Sequence, residues 1–330
     1  MNSIQQYQVQ INNGIEKFCS ELNGRPVELY EPLRYTLSLG GKRMRPLLTM
    51  LACDLFDGDA AIALNPALGI ELFHNFSLIH DDILDDAPLR RNKPTIHQKW
   101  NRNIAILSGD ALLVKAYELI CNSSVPSERK IEILKVFNQV ALLVCEGQQL
   151  DMNYEKASVI IISQYIKMIE LKTAVLLAGS LKIGALIGGA KEEDAKNIYE
   201  FGKNIGIAFQ LQDDILDVYA NEEKFGKQKG GDIIANKKTF LLLKALELSG
   251  HNAYKKEELQ QWIYAPQFDA KHKIEAVTAI YEFFNVKKIA EDEMMNYYKK
   301  GLSFLNQLPV NAQKKENLIS LVESLIVREV

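Results

Sequence analysis

Helical periodicity constrains the fold of this chain more than any other feature. Apolar residues recur at three- and four-residue spacing over many turns in the stretches 128–147, 161–187, 191–219 and 239–248, as on the buried face of a helix. The sequence has no alternating strand-like run with hairpin turn chemistry and no repeat of fixed period. Glycine and proline fall between the periodic stretches, where they end helices. We therefore expect an all-α fold, a bundle of long helices.

Composition indicates the size and the setting of the protein. The chain has 330 residues, 47% of them apolar, and no Pro/Ser-rich linker divides it, so we expect a single domain over residues 1–330. The net charge of −3 provides no global basic field, so we expect no nucleic-acid partner. The sequence has no signal-like N-terminus, no apolar run of membrane-spanning length and no paired cysteines. These features predict a cytoplasmic protein with no membrane span.

The sequence DDILD occurs twice and is the strongest chemical signal. The first copy, at 81–85, ends an apolar helix that the pattern starts near residue 65, and the second, at 213–217, ends another apolar helix. Because aspartates four residues apart share a helix face, Asp81 lies near Asp85 and Asp213 near Asp217. Pro88 disfavours helix beyond the first copy. Both acidic groups are therefore predicted in the last two turns of their helices.

Carboxylates at these positions repel one another and meet the negative end of the helix dipole, so a cation must offset the repulsion. Oxygen donors without a cluster of thiols or imidazoles suit Mg²⁺, which binds one or two carboxylates and fills its other positions with water and phosphate oxygens. A solvated acidic helix end explains a single copy as well. Two copies on apolar helices favour metal sites, and we expect both sets of carboxylates to converge on one pocket that binds a diphosphate.

Basic residues follow each acidic group closely. GGKRMRP at 40–46 places three of them after a glycine pair, Arg90-Arg91 follows the first DDILD, and a lysine-rich stretch at 227–238 follows the second. Lys172-Thr173 interrupts an otherwise apolar helix. Arginine matches phosphate oxygens bidentately and lysine acts as a point charge. Each group alone has a simpler explanation, as a local ion pair, a lysine that reaches solvent or a surface loop. Their combination with the acidic groups favours a phosphate site.

With these residues assembled, the chain resembles the trans-isoprenyl diphosphate synthases, also called polyprenyl synthetases, from about residue 31 through 238. The matching elements are GGKRMRP, HNFSLIHDDILDDAPLRRNKPT, GQQLDM, Lys172-Thr173, FQLQDDILD and GKQKGGDIIANKKT. The resemblance implies an isoprenoid synthase-like bundle of helices around a central cavity, assembled as a homodimer. It also implies Mg²⁺ as cofactor, roughly three ions per active site with substrate bound.

Residue roles are carried over from the family by motif. The resemblance implies that Asp81, Asp85 and Asp213 hold magnesium, and that Asp82, Asp214 and Asp217 support or share ligation. It implies that Arg90, Lys172, Lys227 and Lys237 contact the allylic diphosphate, with Thr173 and Gln210 nearby. Isopentenyl diphosphate would be held by Lys42, Arg45, His74 and Arg91, and Gln148 and Asp151 would lie in the cavity wall. His74 alone reads as a core histidine; the resemblance makes it a ligand.

The implied reaction joins an allylic diphosphate (dimethylallyl, geranyl or farnesyl) to isopentenyl diphosphate after magnesium-assisted ionisation. The six motif aspartates and Lys172 would carry catalysis. Small Ser77 and bulky Phe76, four and five residues before Asp81, resemble geranylgeranyl-type enzymes more than farnesyl-type ones, with farnesyl diphosphate the close alternative. A terpene cyclase would lack GGKRxRP and the second DDxxD. A non-catalytic partner subunit would have lost one of these motifs or the Arg pair, and all are intact here.

Overall fold

The computed structural model describes residues 3–220 and 230–326, and almost all regular structure in them is helical. The helices are α1 (Ser3–Glu21), α2 (Val27–Ser38), α3 (Met44–Leu55), α4 (Ala60–Leu84), α5 (Ile96–Lys99), α6 (Arg102–Cys121), α7 (Ser127–Lys156), α8 (Ile162–Ile169), α9 (Val175–Ile187), α10 (Glu192–Tyr219), α11 (Gly231–Ile234), α12 (Phe240–Ser249), α13 (Ala253–Tyr264), α14 (Ala270–Phe283), α15 (Val286–Asn306) and α16 (Ala312–Ile326). The predicted all-α fold is confirmed.

A short hairpin is the exception to the helical pattern. Strand β1 (Leu89–Arg90) pairs antiparallel with β2 (Lys93–Pro94). The two residues between the strands, Arg91 and Asn92, have φ angles of 52° and 60°, as the tight turn of a two-residue hairpin requires. This hairpin could not be predicted because two-residue strands are too short to show alternation and the turn contains no glycine.

A π-helical turn interrupts the stretch 161–187, which the periodicity predicted as one helix. Residues Glu170–Ala174 form this turn, the π segment, between α8 and α9. Single π turns are rare and occur mostly at functional sites. A second difference is the start of α4, which begins at Ala60 rather than near residue 65, with the Asp59 carboxylate accepting a hydrogen bond of 2.9 Å from the Ala61 N–H. This cap extends the helix ahead of Pro66.

The chain forms two compact units. The first comprises Met1–Gln139, Gly179–Tyr199 and Leu308–Leu318. Within it α4 packs mainly against α6 and α3 and is buried on most of its surface. An apolar helix surrounded in this way can expose polar residues only near its ends. The first DDILD lies at the C-terminal end of α4.

The second unit comprises Val140–Ala178, Glu200–Gln307 and Ile319–Val330. In this unit α12 packs against α8, α13 and α15, and α11 packs against α14. The C-terminal part of α10, which carries the second DDILD, is largely buried from Ile205 to Leu216. Among residues 3–220 and 230–326, every helix is too short or too polar to cross a lipid bilayer.

Candidate active site

The first acidic group lies where α4 ends. The helix stops at Leu84, and the N–H of its C-cap, Asp85, donates to the Asp81 carbonyl over 2.9 Å. Asp81 is half-buried and Asp85 is exposed. The predicted position of this group at the helix terminus is confirmed.

Asp82 is the buried member of the first group. Its side chain is 7% exposed, and the Nε of Arg90 donates to its two oxygens over 2.8 and 2.9 Å. Arg90 Nη2 lies 2.7 Å from Asp82 Oδ1. Because the β1–β2 hairpin follows the helix end directly, it brings Arg90 back to the carboxylate it neutralises. The hydrogen-bonding capacity of Asp82 is largely used by this arginine.

The second acidic group occupies the last two turns of α10, as predicted. Asp214 is 4% exposed; one of its oxygens accepts from the Tyr165 hydroxyl and the other from Gln210 Nε2 over 3.2 Å. Burial and the charge of Asp232 raise the pKa of Asp214 to about 7, against the opposing effect of its hydrogen bonds and of Lys237.

Both groups share one arrangement. The second aspartate, Asp82 or Asp214, is buried and bonded within its own unit, while Asp81, Asp85, Asp213 and Asp217 are half-buried or exposed. This follows from helix geometry, since residues one apart point about 100° away from each other and residues four apart share a face. Asp217 also accepts a hydrogen bond of 3.0 Å from the Asp232 N–H.

The donor atoms of the outward-facing aspartates fit magnesium. They are carboxylate oxygens at four-residue spacing, the hard donors that this ion prefers. Within the described ranges no group of three or more His, Cys, Asp or Glu could hold a metal ion. Magnesium needs no such group, because it usually takes one or two carboxylates and completes its octahedron with water and substrate phosphate.

A cluster of guanidinium groups surrounds His74 in the first unit. Arg45, in the first turn of α3, donates from Nη1 to His74 Nε2 over 3.1 Å. Burial, then the charges of Arg45, Arg91, Arg90 and Arg43, lower the pKa of His74 well below 6.5. The imidazole is therefore neutral, with Nε2 as acceptor. The positive charges that add to the effect of burial also favour a bound anion.

Arg91 joins this cluster from the hairpin turn. One of its Nη atoms donates to the Gly40 carbonyl, and burial, with the charge of Arg43, lowers its pKa. Gly41 has a φ of 136°, and a Cβ there would lie 2.8 Å from Arg91 Nη2, so only glycine fits. Lys42 follows this loop and is exposed.

Arg43, the middle basic residue of GGKRMRP, has a structural position. It is buried, with φ of 48° at the N-cap of α3. Its Nη1 donates to Glu71 Oε1 over 2.7 Å and its Nη2 to the Leu37 carbonyl over 2.6 Å. From its motif, Arg43 belongs with the predicted phosphate-binding residues, because the neighbouring sequence does not indicate its ion-pair partner on α4, Glu71.

The π segment carries Lys172 and Thr173. Lys172 Nζ lies 2.5 Å from Asp151 Oδ2 on α7, and Thr173 Oγ1 donates to Gln210 Oε1 over 3.2 Å. A Cβ on Gly147 of α7 would overlap the backbone at Lys172. The glycine of the GQQLDM motif therefore lets α7 approach the π segment closely.

The lysines after the second acidic group are only partly described. Lys227 lies outside the described residues, and Lys237 Nζ is 3.8 Å from Asp232 Oδ1. Lys238 Nζ donates to the Tyr154 and Glu155 carbonyls over 2.8 and 2.9 Å, at the C-terminal end of α7. Buried Lys273 donates to Asn236 Oδ1 over 2.7 Å. Lys273 could not be predicted as a buried donor from its position on α14, where the other buried residues are Val277, Ile280 and Tyr281.

Aromatic residues line α4 below the first acidic group. The ring of Phe76 lies 4.7 Å from that of His80 and 5.5 Å from that of Phe73, centroid to centroid. Phe73 packs edge-on against Phe137 at 5.4 Å. Ser77 is half-buried, and its hydroxyl donates to the His74 carbonyl.

The structure thus places the predicted residues in two sets. The first unit contains Lys42, Arg45, His74, Asp81, Asp82, Asp85, Arg90 and Arg91. The second contains Gln148, Asp151, Lys172, Thr173, Gln210, Asp213, Asp214, Asp217 and Lys237. The convergence of the two acidic groups on one pocket, and the central cavity, stay predictions.

Comparisons with known proteins identify the family of this chain. Residues 26–281 match the family model described as Polyprenyl synthetase. The chain is 43% identical over 223 residues to the geranylgeranyl diphosphate synthase of Methanosarcina mazei, covering 68% of this chain and 69% of that protein. It is 37% identical over 304 residues to the geranylgeranyl diphosphate synthase of Sulfolobus acidocaldarius, covering 90% of each.

A solved structure shares the fold along the whole chain. A crystal structure of a geranylgeranyl pyrophosphate synthase superposes with a TM-score of 0.93 at 38% identity, covering 100% of both chains. The matched stretch includes every motif from GGKRMRP to the lysines that follow the second DDILD. This chain belongs to the polyprenyl synthetase family, as a short-chain prenyl diphosphate synthase.

Proposed function

We propose that this synthase condenses isopentenyl diphosphate with dimethylallyl, geranyl and farnesyl diphosphates and releases chiefly geranylgeranyl diphosphate. The observation that carries the proposal is the shared arrangement of the two acidic groups, each with a buried, bonded second aspartate and more accessible aspartates four residues apart. Residues 1–330 would act as a single polyprenyl synthetase domain.

Magnesium would be held by Asp81 and Asp85 of the first group and Asp213 of the second, with Asp217 in support and roughly three ions per site when substrate is bound. When bound, the ions neutralise negative charge that develops on the leaving diphosphate. Asp82 and Asp214 would support or share ligation. The oxygens of Asp82 accept from Arg90, and those of Asp214 accept from Tyr165 and Gln210.

Diphosphate binding falls to the basic residues. Arg90, Lys172, Lys227 and Lys237 would contact the allylic diphosphate, and Arg90 retains Nη1 donors beyond those spent on Asp82. Lys42, Arg45, His74 and Arg91 would bind isopentenyl diphosphate. The cluster of positive charge around neutral His74 supports this assignment.

Carbon–carbon bond formation requires an allylic cation that is shielded from water. Apolar residues on the helices that carry the aspartates would exclude water, which would trap the cation as an alcohol. Lys172-Thr173 or Gln210 would present a dipole to it. The isopentenyl double bond attacks the cation, and the proton lost afterwards passes to the departed diphosphate, so the protein need supply no base.

Product length would be set along α4. Phe76 and Phe73 lie below the first acidic group, and their packing against His80 and Phe137 holds them in place. The names of the relatives from Methanosarcina mazei and Sulfolobus acidocaldarius support geranylgeranyl diphosphate as product. Farnesyl diphosphate is the second candidate.

Assembly as a homodimer in the cytoplasm belongs to the same proposal. Helix α6 exposes Leu107 and Val114, whose residues are 59% and 65% accessible in the single chain, as expected of a surface that a second copy covers. A non-catalytic partner subunit is the alternative. The intact aspartate motifs and Arg pair favour a catalytic chain.

The test is direct. Purified protein is incubated with magnesium, isopentenyl diphosphate and each allylic primer, and the products are sized by chromatography. We expect geranylgeranyl diphosphate from all three primers, and a turnover lower by orders of magnitude for Asp81→Ala and Asp213→Ala with unchanged helix content. Full activity of both variants in magnesium would refute the metal assignment, and an inactive wild-type protein would favour the partner-subunit alternative.

A further inference from the structure

Four side chains of the second unit form a continuous run of hydrogen bonds, which we call the Tyr165–Thr173 network. The Tyr165 hydroxyl, on α8, donates to Asp214 Oδ2. Gln210 Nε2 donates to Asp214 Oδ1 over 3.2 Å, and Thr173 Oγ1 donates to Gln210 Oε1 over 3.2 Å. Tyr165 and Asp214 are 2% and 4% exposed. The network therefore connects the interior of the unit to the residue that follows Lys172.

The three hydrogen bonds of the network run in one direction, from Tyr165 and Gln210 to Asp214 and from Thr173 to Gln210. The Tyr165 hydroxyl donates to Asp214 Oδ2, and Gln210 Nε2 donates to Asp214 Oδ1. Asp214 accepts on both oxygens, so the Gln210 amide must turn its NH₂ group towards it and its oxygen towards Thr173. The single hydroxyl proton of Thr173 is then committed to Gln210. For any further interaction, the Thr173 oxygen can act only as an acceptor, through its lone pairs.

The Thr173 hydroxyl, which lies in the π segment, donates outside its own helix. A threonine hydroxyl within a helix ordinarily donates to the carbonyl three or four residues back. Thr173 instead donates to Gln210 on α10. Gly206 of α10 permits this approach, because a Cβ there would lie 2.5 Å from the Cα of Ala174. The direction of the Thr173 hydroxyl thus depends on a partner outside its own helix.

We propose that Tyr165 is a positioning residue for ionisation: through Asp214 and Gln210 it orients the Thr173 hydroxyl so that its oxygen lone pairs face the bound allyl group. The negative end of a fixed dipole stabilises the positive charge that develops there. No proton moves along the network and no bond in it breaks. This inference deepens the proposed function and rests on its placement of Thr173 beside the allylic substrate.

The test measures the single-turnover rate of condensation, which product release does not limit. We expect Tyr165→Phe to lower this rate about tenfold, the equivalent of about 1.4 kcal/mol in the barrier. The KM values for both substrates should change less than about twofold. Tyr298→Phe is the matched control, since it removes a 3.1 Å tyrosine–carboxylate bond to Glu323 in the same unit, and its rate should equal that of the wild type.

A double-mutant cycle separates positioning from a general structural effect. If Tyr165 acts through Thr173, Tyr165→Phe should lower the rate less than about twofold in a Thr173→Val background, and Thr173→Ser should retain most of the activity. Should Tyr165→Phe not fold, Gln210→Met cuts the same network and should show the same dependence on Thr173. Equal falls in both backgrounds, or a wild-type rate for Tyr165→Phe, would overturn the proposal.

The outcome is distinguishable from failure of the proposed function. A wild-type rate for Thr173→Val would overturn the positioning role while the effects of Asp81→Ala and Asp213→Ala remained. Conversely, full activity of both aspartate variants in magnesium would refute the metal assignment, whatever the result of the cycle.

Discussion

The guanidinium of Arg90 bonds to both carboxylate oxygens of Asp82, from Nε over 2.8 and 2.9 Å and from Nη2 over 2.7 Å. Asp82 is the second aspartate of a five-residue motif whose first and fifth members, Asp81 and Asp85, lie on another face of the helix. Charge-assisted contacts of this kind are short and strong. One motif therefore contains two kinds of aspartate, and we expect substitutions of the two kinds to have different effects.

Asp81→Asn and Asp82→Asn should fail in different ways. Asp81→Asn removes a proposed magnesium ligand, so we expect turnover to fall by at least about a hundredfold, with partial recovery at high magnesium and little change in melting temperature. Asp82 is buried, and Asp82→Asn removes the charge that neutralises Arg90. The free energy of unfolding should therefore fall by roughly 3 kcal/mol. Magnesium titrations of activity and thermal melts of both variants measure this. A melting temperature lowered equally in both would contradict the distinction.

His74 makes a prediction about pH. Its pKa is held well below 6.5 by burial and the surrounding arginines, so below pH 6.5 the unfolded chain binds a proton that the folded chain does not. Stability should therefore fall as pH drops below about 6.5, by at most about 1.4 kcal/mol per pH unit from this group, and be unaffected by it above. His74→Gln, which can still accept from Arg45, should lose less stability on acidification than the wild type.

The measurement is the free energy of unfolding of both proteins by denaturant titration between pH 5 and pH 8. Near pH 6.5, the KM for isopentenyl diphosphate should depend on pH in the same way in the wild type and in His74→Gln. An identical pH dependence of stability in the two proteins would show that His74 is protonated in the folded state.

Periodicity predicted the helices well because burial of one face repeats regularly along them. The ends near Pro88 and Tyr219 follow from local chemistry and were also predicted. The π segment was not, since one widened turn leaves the spacing of apolar residues almost unchanged. Local sequence also cannot show that Tyr165 donates to Asp214, because the two lie 49 residues apart. On α8, Tyr165 occupies an apolar position and reads as part of the core.

Phe76 should limit product length. Its ring packs against Phe73 and His80, so removing it opens space below the first acidic group while those neighbours remain. We expect Phe76→Ala to shift the products towards longer chains, and Phe76→Tyr, which keeps the bulk, to leave them unchanged. Chromatography of the dephosphorylated products measures this. An unchanged spectrum for Phe76→Ala would mean that another residue forms the floor.

Gly147→Ala should disturb the π segment. The new Cβ would overlap the backbone nitrogen of Lys172, and backbone cannot move aside as a side chain can. We expect the free energy of unfolding to fall by about 1–3 kcal/mol despite the gain in helix propensity, and turnover to fall with it because Lys172 and Thr173 shift. Gly301→Ala is the control, since its Cβ would meet the flexible end of Ile205 at 3.0 Å. Equal effects of the two substitutions would contradict this account.

The buried ion pair between Arg43 and Glu71 allows stability to be separated from substrate binding. Glu71→Leu alone leaves the charge of Arg43 buried, so the free energy of unfolding should fall by about 3–5 kcal/mol. Arg43→Met combined with Glu71→Leu removes both charges and should recover most of that loss, since apolar pairs commonly replace buried ion pairs without cost.

Substrate binding should not recover in the double variant. Arg43 holds a left-handed backbone conformation between Lys42 and Arg45, with φ of 48°, and its 2.6 Å bond to the Leu37 carbonyl fixes that turn. Such conformations persist only where surrounding contacts enforce them. We expect the KM for isopentenyl diphosphate to rise about tenfold, the equivalent of about 1.4 kcal/mol, with the KM for the allylic substrate unchanged. A double variant that is both stable and normal in its isopentenyl KM would show that Arg43 serves the fold alone. If stability returns while that KM stays high, Arg43 serves to position Lys42 and Arg45.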